Sequence, residues 1–227
     1  MDVLADIPFS LDADEIAAEA RVEAGSADEA DLRALIELAR EIGRPKAAYA
    51  ECFITGRDGD KVHINDVCFR SRTLAHNLKS VERVFPLLAT CGHELDRGFP
   101  ARGDMVKEFW WDSIKTRLLV AANQHLNEHL HRKFRLGKTA TMRPGSGDAS
   151  VWPIEQQKEL FSLLGNVEKE LGVQLTESCL MIPNKTTSGI LFPTETDFRS
   201  CEVCHREGCP SRHAPFNKQL WERLQRD

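Results

Sequence analysis

The stretch MIPNKTTSGILFP (residues 181–193) joins a turn-forming segment, marked by Pro183 and Asn184, to a run of strand-forming residues. This order predicts a turn followed by a strand. A second stretch, ERVFPLLAT (82–90), contains a continuous apolar run and precedes Gly92, which predicts a buried strand closed by a turn. Because helical segments separate the strands at irregular intervals, the sequence predicts an α+β fold.

Helical periodicity marks the segments around these strands. Residues 10–24, 27–42, 72–79 and 154–171 are predicted helices. The longest predicted helix covers residues 104–133, which contain no proline or glycine. We expect the following apolar residues of this helix to face the core: Met105, Phe109, Ile114, Leu118, Val120, Ala121 and Leu126.

Shorter elements fill the remaining segments. Residues 47–66 alternate around the turn signal RDGD, which predicts a hairpin, and residues 173–178 have the pattern of a strand. Residues 137–153 are rich in glycine, serine and proline, which predicts a loop.

The bulk properties argue against several classes of function. A length of 227 residues is sufficient for a substantial core, and the net charge of −5 disfavours non-specific binding to nucleic acid. No apolar run reaches the roughly 20 residues of a membrane span, and the acidic N-terminus lacks the pattern of a signal peptide. We therefore expect a cytoplasmic protein that binds neither nucleic acid nor membrane, with its seven cysteines reduced.

The bend MRPGSGD (142–148) is a candidate ligand site. Gly145 and Gly147 would let the backbone approach a ligand closely, and the N–H groups ahead of the Ile154 helix could meet an anion. Arg143 could form paired hydrogen bonds with a carboxylate. The composition of the bend also fits a plain connecting loop.

Two longer segments carry a resemblance to a known family. Residues 143–165 and 170–192 resemble the activation (reactivation) domain of cobalamin-dependent methionine synthase and its stand-alone bacterial relatives, with GVQLTES and MIPNKTTSG as the best-matching motifs. LLATCGHELD (87–96) resembles the strand and turn of the same family. The resemblance covers residues 45–195 well.

The resemblance implies a C-shaped α+β fold in which helices flank a twisted antiparallel sheet. We expect an N-terminal helical segment (1–44), an activation-domain-like core (45–198) and a cysteine-rich metal-binding tail (199–227). The resemblance also implies binding of S-adenosylmethionine and docking on a partner protein that holds cobalamin. The ligand-binding residues predicted on this basis are Arg143, Gly145, Ser146, Gly147, Asp148, Lys185 and Ser188.

One departure from the family pattern concerns this ligand. The family binds the methionine part through Arg-x-x-x-Gly-Tyr, whereas alignment on the glycine places Thr141 at the arginine position and Ser146 at the tyrosine position. Alignment on Arg143 instead places Asp148 at the tyrosine position. Loss of a buried charged pairing costs about 2–5 kcal/mol, so the sequence leaves open whether the ligand binds tightly, weakly or not at all.

The tail CEVCHREGCPSR (201–212) gathers Cys201, Cys204 and Cys209, which are predicted metal ligands. Two thiols three residues apart can share a metal through a tight turn. Three interpretations stay open, namely a [4Fe–4S] cluster, a structural zinc ion, and free or redox-active thiols. The candidates for a fourth ligand are His205, His213, Cys52, Cys68, Cys91 and Cys179.

Two functions are compatible with these features. The first is reductive reactivation of a cobalamin-dependent methyltransferase of the methionine synthase type, in which the chain presents S-adenosylmethionine to cob(I)alamin. An iron–sulfur site could then relay an electron from a ferredoxin or a flavodoxin. The second is a non-enzymatic, metal-bound docking or chaperone module for a corrinoid protein, without S-adenosylmethionine. The altered arginine–tyrosine motif favours the second.

Overall fold

A computed structural model describes residues 1–146, 151–196, 198–209 and 212–226 of the chain. The α-helices are α1 (Ala13–Ala20), α2 (Ala27–Ile42), α3 (Arg72–Asn77), α4 (Glu94–Arg97), α5 (Met105–Phe134), α6 (Gln157–Leu164), α7 (Val167–Leu171) and α8 (Lys218–Arg226). Short 3-10 turns cover Ile154–Gln156 and Ser200–Val203. None of the helices in the described ranges combines the length and the hydrophobicity that a membrane span requires.

The strands form one large antiparallel sheet and one small one. They are β1 (Asp2–Leu4), β2 (Lys46–Tyr49), β3 (Cys52–Asp58), β4 (Lys61–Ile64), β5 (Val67–Arg70), β6 (Arg83–Thr90), β7 (Thr139–Met142), β8 (Gln174–Leu175), β9 (Met181–Ile182) and β10 (Thr186–Pro193). The large sheet has the order β1-β2-β6-β3-β4-β5, with β10 paired to β6 and β7 paired to β10, while β8 and β9 form the small sheet. This architecture confirms the predicted α+β fold class.

Strand β6 is the centre of the large sheet. It pairs with β2 and β3 along one edge and with β10 along the other, from Thr186 opposite Thr90 to Leu191 opposite Phe85. Every residue of β6 after Arg83 is buried, because α5 covers one face of the sheet and α6 and α7 cover the other. The two stretches that predicted strands therefore form the central pair.

The long helix α5 agrees with its prediction in extent but only partly in orientation. Ile114, Leu118 and Leu126 are buried as expected. Met105, Phe109 and Val120 are exposed, so the prediction that they face the core is wrong. The neighbouring Trp110 and Trp111 are both buried. Because tryptophan has the largest apolar surface, this pair determines which side of the helix turns inward.

The segment between α5 and β8 differs from its prediction in two ways. Inside the predicted loop, Thr139–Met142 forms β7 and pairs with Ile190–Pro193 of β10. Backbone pairing to a central strand here outweighs the turn signals that flank it. The helix predicted over residues 154–171 is interrupted at Gly165, whose φ of 82° is incompatible with a right-handed helix. Two separate helices, α6 and α7, result.

Other predicted elements are shorter or more divided than expected. The hairpin predicted in residues 47–66 is present as β3 and β4, but Lys46–Tyr49 forms the separate strand β2, which pairs with β6 and β1. The strand predicted over residues 173–178 is reduced to the two residues of β8. The first helix ends at Ala20, where Arg21 adopts a left-handed conformation with a φ of 56°.

Both ends of the chain pack on the central part of the fold. Helix α2 buries Leu32 and Ile36 in a cluster that includes Trp111 of α5. At the other end, Val203 and Leu224 join the cluster that lies over β4, β5 and β6. The predicted N-terminal segment and the tail therefore share cores with the residues between them.

Shortening Ile36 should test whether the N-terminal segment folds together with the rest. Ile36 is fully buried, so Ile36→Ala should lower the free energy of unfolding by about 2–5 kcal/mol. The measurement is urea unfolding followed by tryptophan fluorescence, since Trp110 and Trp111 belong to the same cluster. The exposed neighbour Glu37 provides the control, and Glu37→Ala should change stability by no more than about 0.5 kcal/mol. Separate transitions for the two ends of the chain would contradict a shared core.

Candidate functional site

A cleft of about 570 Å³ lies where the bend before α6, the turn between β8 and β9, and helix α5 meet. Its lining residues are Asp96, Lys115, Pro144, Ile154, Gln157, Thr176, Cys179, Leu180, Met181, Ile182, Asn184 and Thr186. Two other clefts, of about 600 and 1130 Å³, lie between the N-terminal segment and α5 and beside α8. Neither of these is lined by the bend, so the 570 Å³ cleft is the candidate ligand site.

One side of the bend packs against Ile154, and the other side is open to solvent. Gly145 has a φ of 71°, its N–H donates to the Trp152 carbonyl oxygen at 2.8 Å, and a Cβ there would lie 2.9 Å from Ile154. This close approach requires glycine. Gly145 and Ser146 are nevertheless exposed, and Pro144 lines the cleft. An open concave surface therefore exists beside the bend. Of the predicted ligand-binding residues, 147 and 148 lie outside the described residues.

Strand β10 leaves part of one edge open beside the bend. Strand β7 pairs only with Ile190–Pro193, so on this side residues 186–189 of β10 have no strand partner among the described residues. Ser188 lies in this stretch but its side chain is buried and is not part of the cleft wall, whereas Thr186 does line the cleft. Free backbone groups of an open strand edge can bind a ligand that approaches from the cleft.

Arg143 lies at the point where the bend leaves the sheet. A Cβ on Gly189 would lie 2.9 Å from Arg143 Cγ and 2.6 Å from the Met142 carbonyl oxygen, so the arginine stem passes directly over the glycine. The Arg143 side chain has no hydrogen bond or ion pair with another described residue, and burial lowers the pKa of its guanidinium below the usual value. A partly buried cation without a carboxylate is a candidate anion-binding group.

The other cations near the cleft are already neutralised. Lys115 Nζ donates to Asp96 and, at 2.6 Å, to Asn184 Oδ1. The predicted ligand residue Lys185 pairs with Asp112, with 2.7 Å between Nζ and Oδ2. These pairs leave little net charge at the wall of the cleft. Arg143 is not itself among the lining residues, but it directly precedes Pro144, which is.

Apolar side chains form an exposed rim around the mouth of the cleft. Leu180 and Ile182 are 61% and 48% exposed, and Ile154 on the opposite wall is 38% exposed. Apolar residues clustered around an opening are typical of a surface that contacts a partner. Sequence patterns did not reveal this rim, because Leu180 and Ile182 lie in a turn whose orientation depends on the β8–β9 pairing.

The cysteine tail is held together by hydrogen bonds from one arginine side chain. Cys204 is buried, and Cys201 Sγ accepts a hydrogen bond from the His213 N–H at 3.5 Å. The Arg212 guanidinium donates to four backbone carbonyls of the tail, including those of Cys201 and Cys204. No group of three metal-ligating side chains is close enough to hold an ion within the described ranges. The Arg212 side chain therefore organises the described tail, and metal binding by Cys201, Cys204 and Cys209 stays a prediction.

One proposed fourth ligand is also engaged elsewhere. The ring of His205 packs against the rings of Phe216 and Trp221, with centroid distances of 4.4 and 4.5 Å. This aromatic cluster attaches the tail to α8. His205 thus has a packing role that accounts for its position without a metal.

Comparisons with known proteins identify solved structures with this fold and the family to which the chain belongs. A solved structure described as "Crystal Structure of the MetH Reactivation Domain bound to AdoHcy" matches with a TM-score of 0.54 and 18% sequence identity, over 88% of this chain and 81% of that chain. At this identity the match establishes the α+β fold of a reactivation domain. The model of the family "Vitamin B12 dependent methionine synthase, activation domain" matches residues 89–206, more than half of the chain. The chain therefore belongs to that family, which confirms the resemblance. No curated protein sequence matches the chain.

Filling the space over Gly189 should disturb the bend. The Cβ of Gly189→Ala would meet the Met142 carbonyl oxygen, and such overpacking should lower the free energy of unfolding by about 1–3 kcal/mol. The matched control is Gly56→Ala in β3, whose Cβ would lie 3.5 Å from the His63 side chain, an ordinary contact. Thermal unfolding of both variants checks the difference. Equal stability of the two would mean that Arg143 does not lie against β10.

Proposed function

We propose that this chain binds S-adenosylmethionine in the 570 Å³ cleft and presents its methyl group to cobalamin held by a partner methyltransferase. Arg143 pairs with the ligand carboxylate, and backbone groups around Gly145 and Ser188 hold the rest of the ligand. Family membership supports the role, and the solved structure that shares the fold has AdoHcy, the demethylated form of this ligand, bound to it.

The observation that carries this proposal is the open cleft beside the bend, which Pro144 lines, together with the adjacent, partly buried Arg143, whose side chain has no hydrogen bond or ion pair among the described residues. A buried charge without a partner is costly, and a ligand carboxylate removes that cost by forming charge-assisted, paired hydrogen bonds. Arg143 thereby replaces the cation that the family pattern places two residues earlier. The family tyrosine has no counterpart at Ser146, so we expect an affinity supported mainly by the arginine.

The reaction consists of a reduction followed by a methyl transfer. One electron reduces inactive cob(II)alamin on the partner to cob(I)alamin. The cobalt nucleophile then attacks the sulfonium methyl group, the carbon–sulfur bond breaks, and methylcobalamin and S-adenosylhomocysteine form. The chain contributes position and orientation, because it holds the methyl donor in a fixed cleft while the cobalt supplies the chemistry.

The apolar rim of the cleft provides the surface for the partner. Leu180, Ile182 and Ile154 surround the opening from which the methyl group would emerge. Burial of exposed apolar side chains stabilises association and excludes water from the reacting atoms. The partner class is a corrinoid protein of the methionine synthase type, reduced by a ferredoxin or a flavodoxin.

Removal of the Arg143 charge should weaken ligand binding strongly. Loss of a buried charged pairing costs about 2–5 kcal/mol, so Arg143→Gln should reduce the affinity for S-adenosylmethionine by about 30-fold or more. Isothermal titration calorimetry measures the affinity, and Arg132→Gln on the exposed surface of α5 is the matched control. Wild-type and Arg132→Gln chains should bind alike.

Reconstitution connects this binding to function. A cobalamin-dependent methyltransferase in the cob(II)alamin state, with a chemical reductant and S-adenosylmethionine, should form methylcobalamin faster when the chain is present. Arg143→Gln should remove the acceleration at subsaturating ligand. A wild-type chain that binds the corrinoid protein but no S-adenosylmethionine would instead identify the docking module without a methyl donor.

Metal binding by Cys201, Cys204 and Cys209 stays a prediction of the sequence, and no electron step of the proposal passes through it. An iron–sulfur cluster would give anaerobically purified protein broad visible absorption with bound iron and sulfide, whereas zinc would give a colourless protein with stoichiometric zinc. The double variant Cys201→Ala/Cys204→Ala should lose the metal, and Cys68→Ala, which removes an exposed thiol outside the tail, should retain it. Absence of both metals from the wild-type chain would leave the thiols free.

A further inference from the structure

We propose that Gln157 is a ligand-contact residue of the cleft, whose side-chain oxygen accepts a hydrogen bond from an N–H group of the bound S-adenosyl compound. The inference rests on the proposed function, because it assigns a second polar contact to the same ligand. Gln157 lies in the first turn of α6 and lines the cleft. Gln156 and Gln157 lie within residues 143–165, one of the two segments that resemble the family, but Gln157 was not among the ligand-binding residues predicted from the sequence.

Among the described residues, the Gln157 oxygen has no hydrogen-bond partner, although Gln157 is deeply buried. The residue is 3% exposed, Oε1 has less than 1 Å² of accessible area, and no donor among the described residues reaches it. In this conformation the oxygen has almost no contact with solvent, so the carboxamide must turn for the oxygen to reach a group in the cleft. Buried side-chain oxygens are almost always hydrogen-bonded in folded proteins, so an exception requires an explanation.

The contact at the other end of the carboxamide fixes its orientation. Gln157 Nε2 lies 3.2 Å from the sulfur of Met181, another residue of the cleft wall. A thioether sulfur can accept but cannot donate a hydrogen bond, so the amide nitrogen faces Met181 and the oxygen is the unpaired end. An unpaired acceptor selects a ligand group that donates. Because the terminal torsion of glutamine is broad, the carboxamide can turn toward such a group.

The adjacent Gln156 shows what a purely structural glutamine looks like in this fold. Its Oε1 accepts from the Arg70 N–H at 2.7 Å and from Trp152 Nε1 at 3.3 Å, and its Nε2 donates to the Arg70 carbonyl oxygen at 2.6 Å. Gln156 thus attaches the start of α6 to β5 with both ends of its amide paired. Gln157 makes no comparable set of hydrogen bonds within the described residues. A structural role therefore does not explain why its side-chain oxygen is buried without a partner.

A ligand-contact role predicts opposite effects on stability and on binding. In the free chain the unpaired oxygen is unfavourable, so an apolar side chain of similar length should stabilise the fold. In the complex the same replacement leaves the ligand N–H without its acceptor and weakens binding. A structural role predicts instead that stability and binding fall together.

Two groups of the ligand could supply the N–H. One is the α-ammonium of the amino-acid part, next to the carboxylate that Arg143 would bind. The other is the exocyclic amine of adenine. 5′-Methylthioadenosine separates them, because it keeps the adenine and lacks the amino-acid ammonium and carboxylate.

The test compares the full-length wild-type chain with Gln157→Met, Gln157→Glu and the matched control Gln156→Met. Calorimetry with S-adenosylhomocysteine gives the affinity, and thermal unfolding of the ligand-free proteins gives the stability. We expect Gln157→Met to raise the unfolding temperature by about 2–4 °C and to weaken binding by about tenfold. Gln157→Glu keeps an acceptor and should retain affinity within about threefold. Gln156→Met should lower the unfolding temperature and bind within about threefold of wild type.

Each outcome separates this inference from the proposed function. A wild-type chain that binds no S-adenosylhomocysteine overturns the proposed function and the inference with it. Wild-type binding combined with unchanged affinity in Gln157→Met, or with equal losses in the Met and Glu variants, overturns the inference alone. Loss of stability in Gln157→Met, like that of Gln156→Met, would assign a structural role. With 5′-methylthioadenosine, a persistent effect of Gln157→Met assigns the adenine amine, and loss of the effect assigns the α-ammonium.

Discussion

The pairing of β6 with β10 is the constraint on which the rest of the structure depends. Six residues of β10 lie in register with β6, and both faces of this pair are covered by helices. Strand β7 then covers only the second half of β10. On this side the first half has no strand partner among the described residues, because the chain leaves the sheet after Met142 and turns at Gly145. The candidate ligand site is thus a consequence of how far β7 extends, and the sheet on either side makes its position rigid.

Some polar groups around the cleft have a hydrogen-bond or ion-pair partner, and others have none among the described residues. Lys115 and Lys185 have carboxylate partners, whereas the Arg143 guanidinium and the Gln157 oxygen have none among the described residues. An unsatisfied buried polar group costs about 1–3 kcal/mol in the free protein. The Gln157 oxygen is such a buried group, and together with the partly buried Arg143 it is compatible with the proposed ligand, which has an N–H donor and a carboxylate.

Predictions from sequence succeeded where one strong periodic signal decided the outcome. Helix α2 and strand β6 have the predicted extents to within one residue, because their apolar positions alone specify a buried face or a buried run. Strand β7 escaped prediction because four residues between turn signals carry little local information, and pairing with β10 forms it. The prediction that Phe109 and Met105 face the core was wrong because a 30-residue helix has apolar residues on several sides. The buried side is the one that contains Trp110 and Trp111. The role of Arg143 in a ligand site stays a prediction based on its bend, whereas the lack of a partner for the Gln157 oxygen depends on three-dimensional surroundings that the sequence pattern does not specify.

The proposed shift of the ligand-binding cation from position 141 to position 143 is compatible with the geometry of the strand. Side chains alternate along a strand, so residues two apart project to the same side, about 7 Å from each other. The contacts of Gly189 agree with this, since a Cβ there would meet both Thr141 Cγ2 at 3.1 Å and Arg143 Cγ at 2.9 Å. An arginine at either position therefore lies on the same face of the sheet beside the same glycine. At position 143 it is just beyond β7 and does not itself line the cleft, whereas the next residue, Pro144, does. The long, flexible arginine side chain can compensate for a shift of this size, and for this reason the altered motif is compatible with retained binding of a carboxylate.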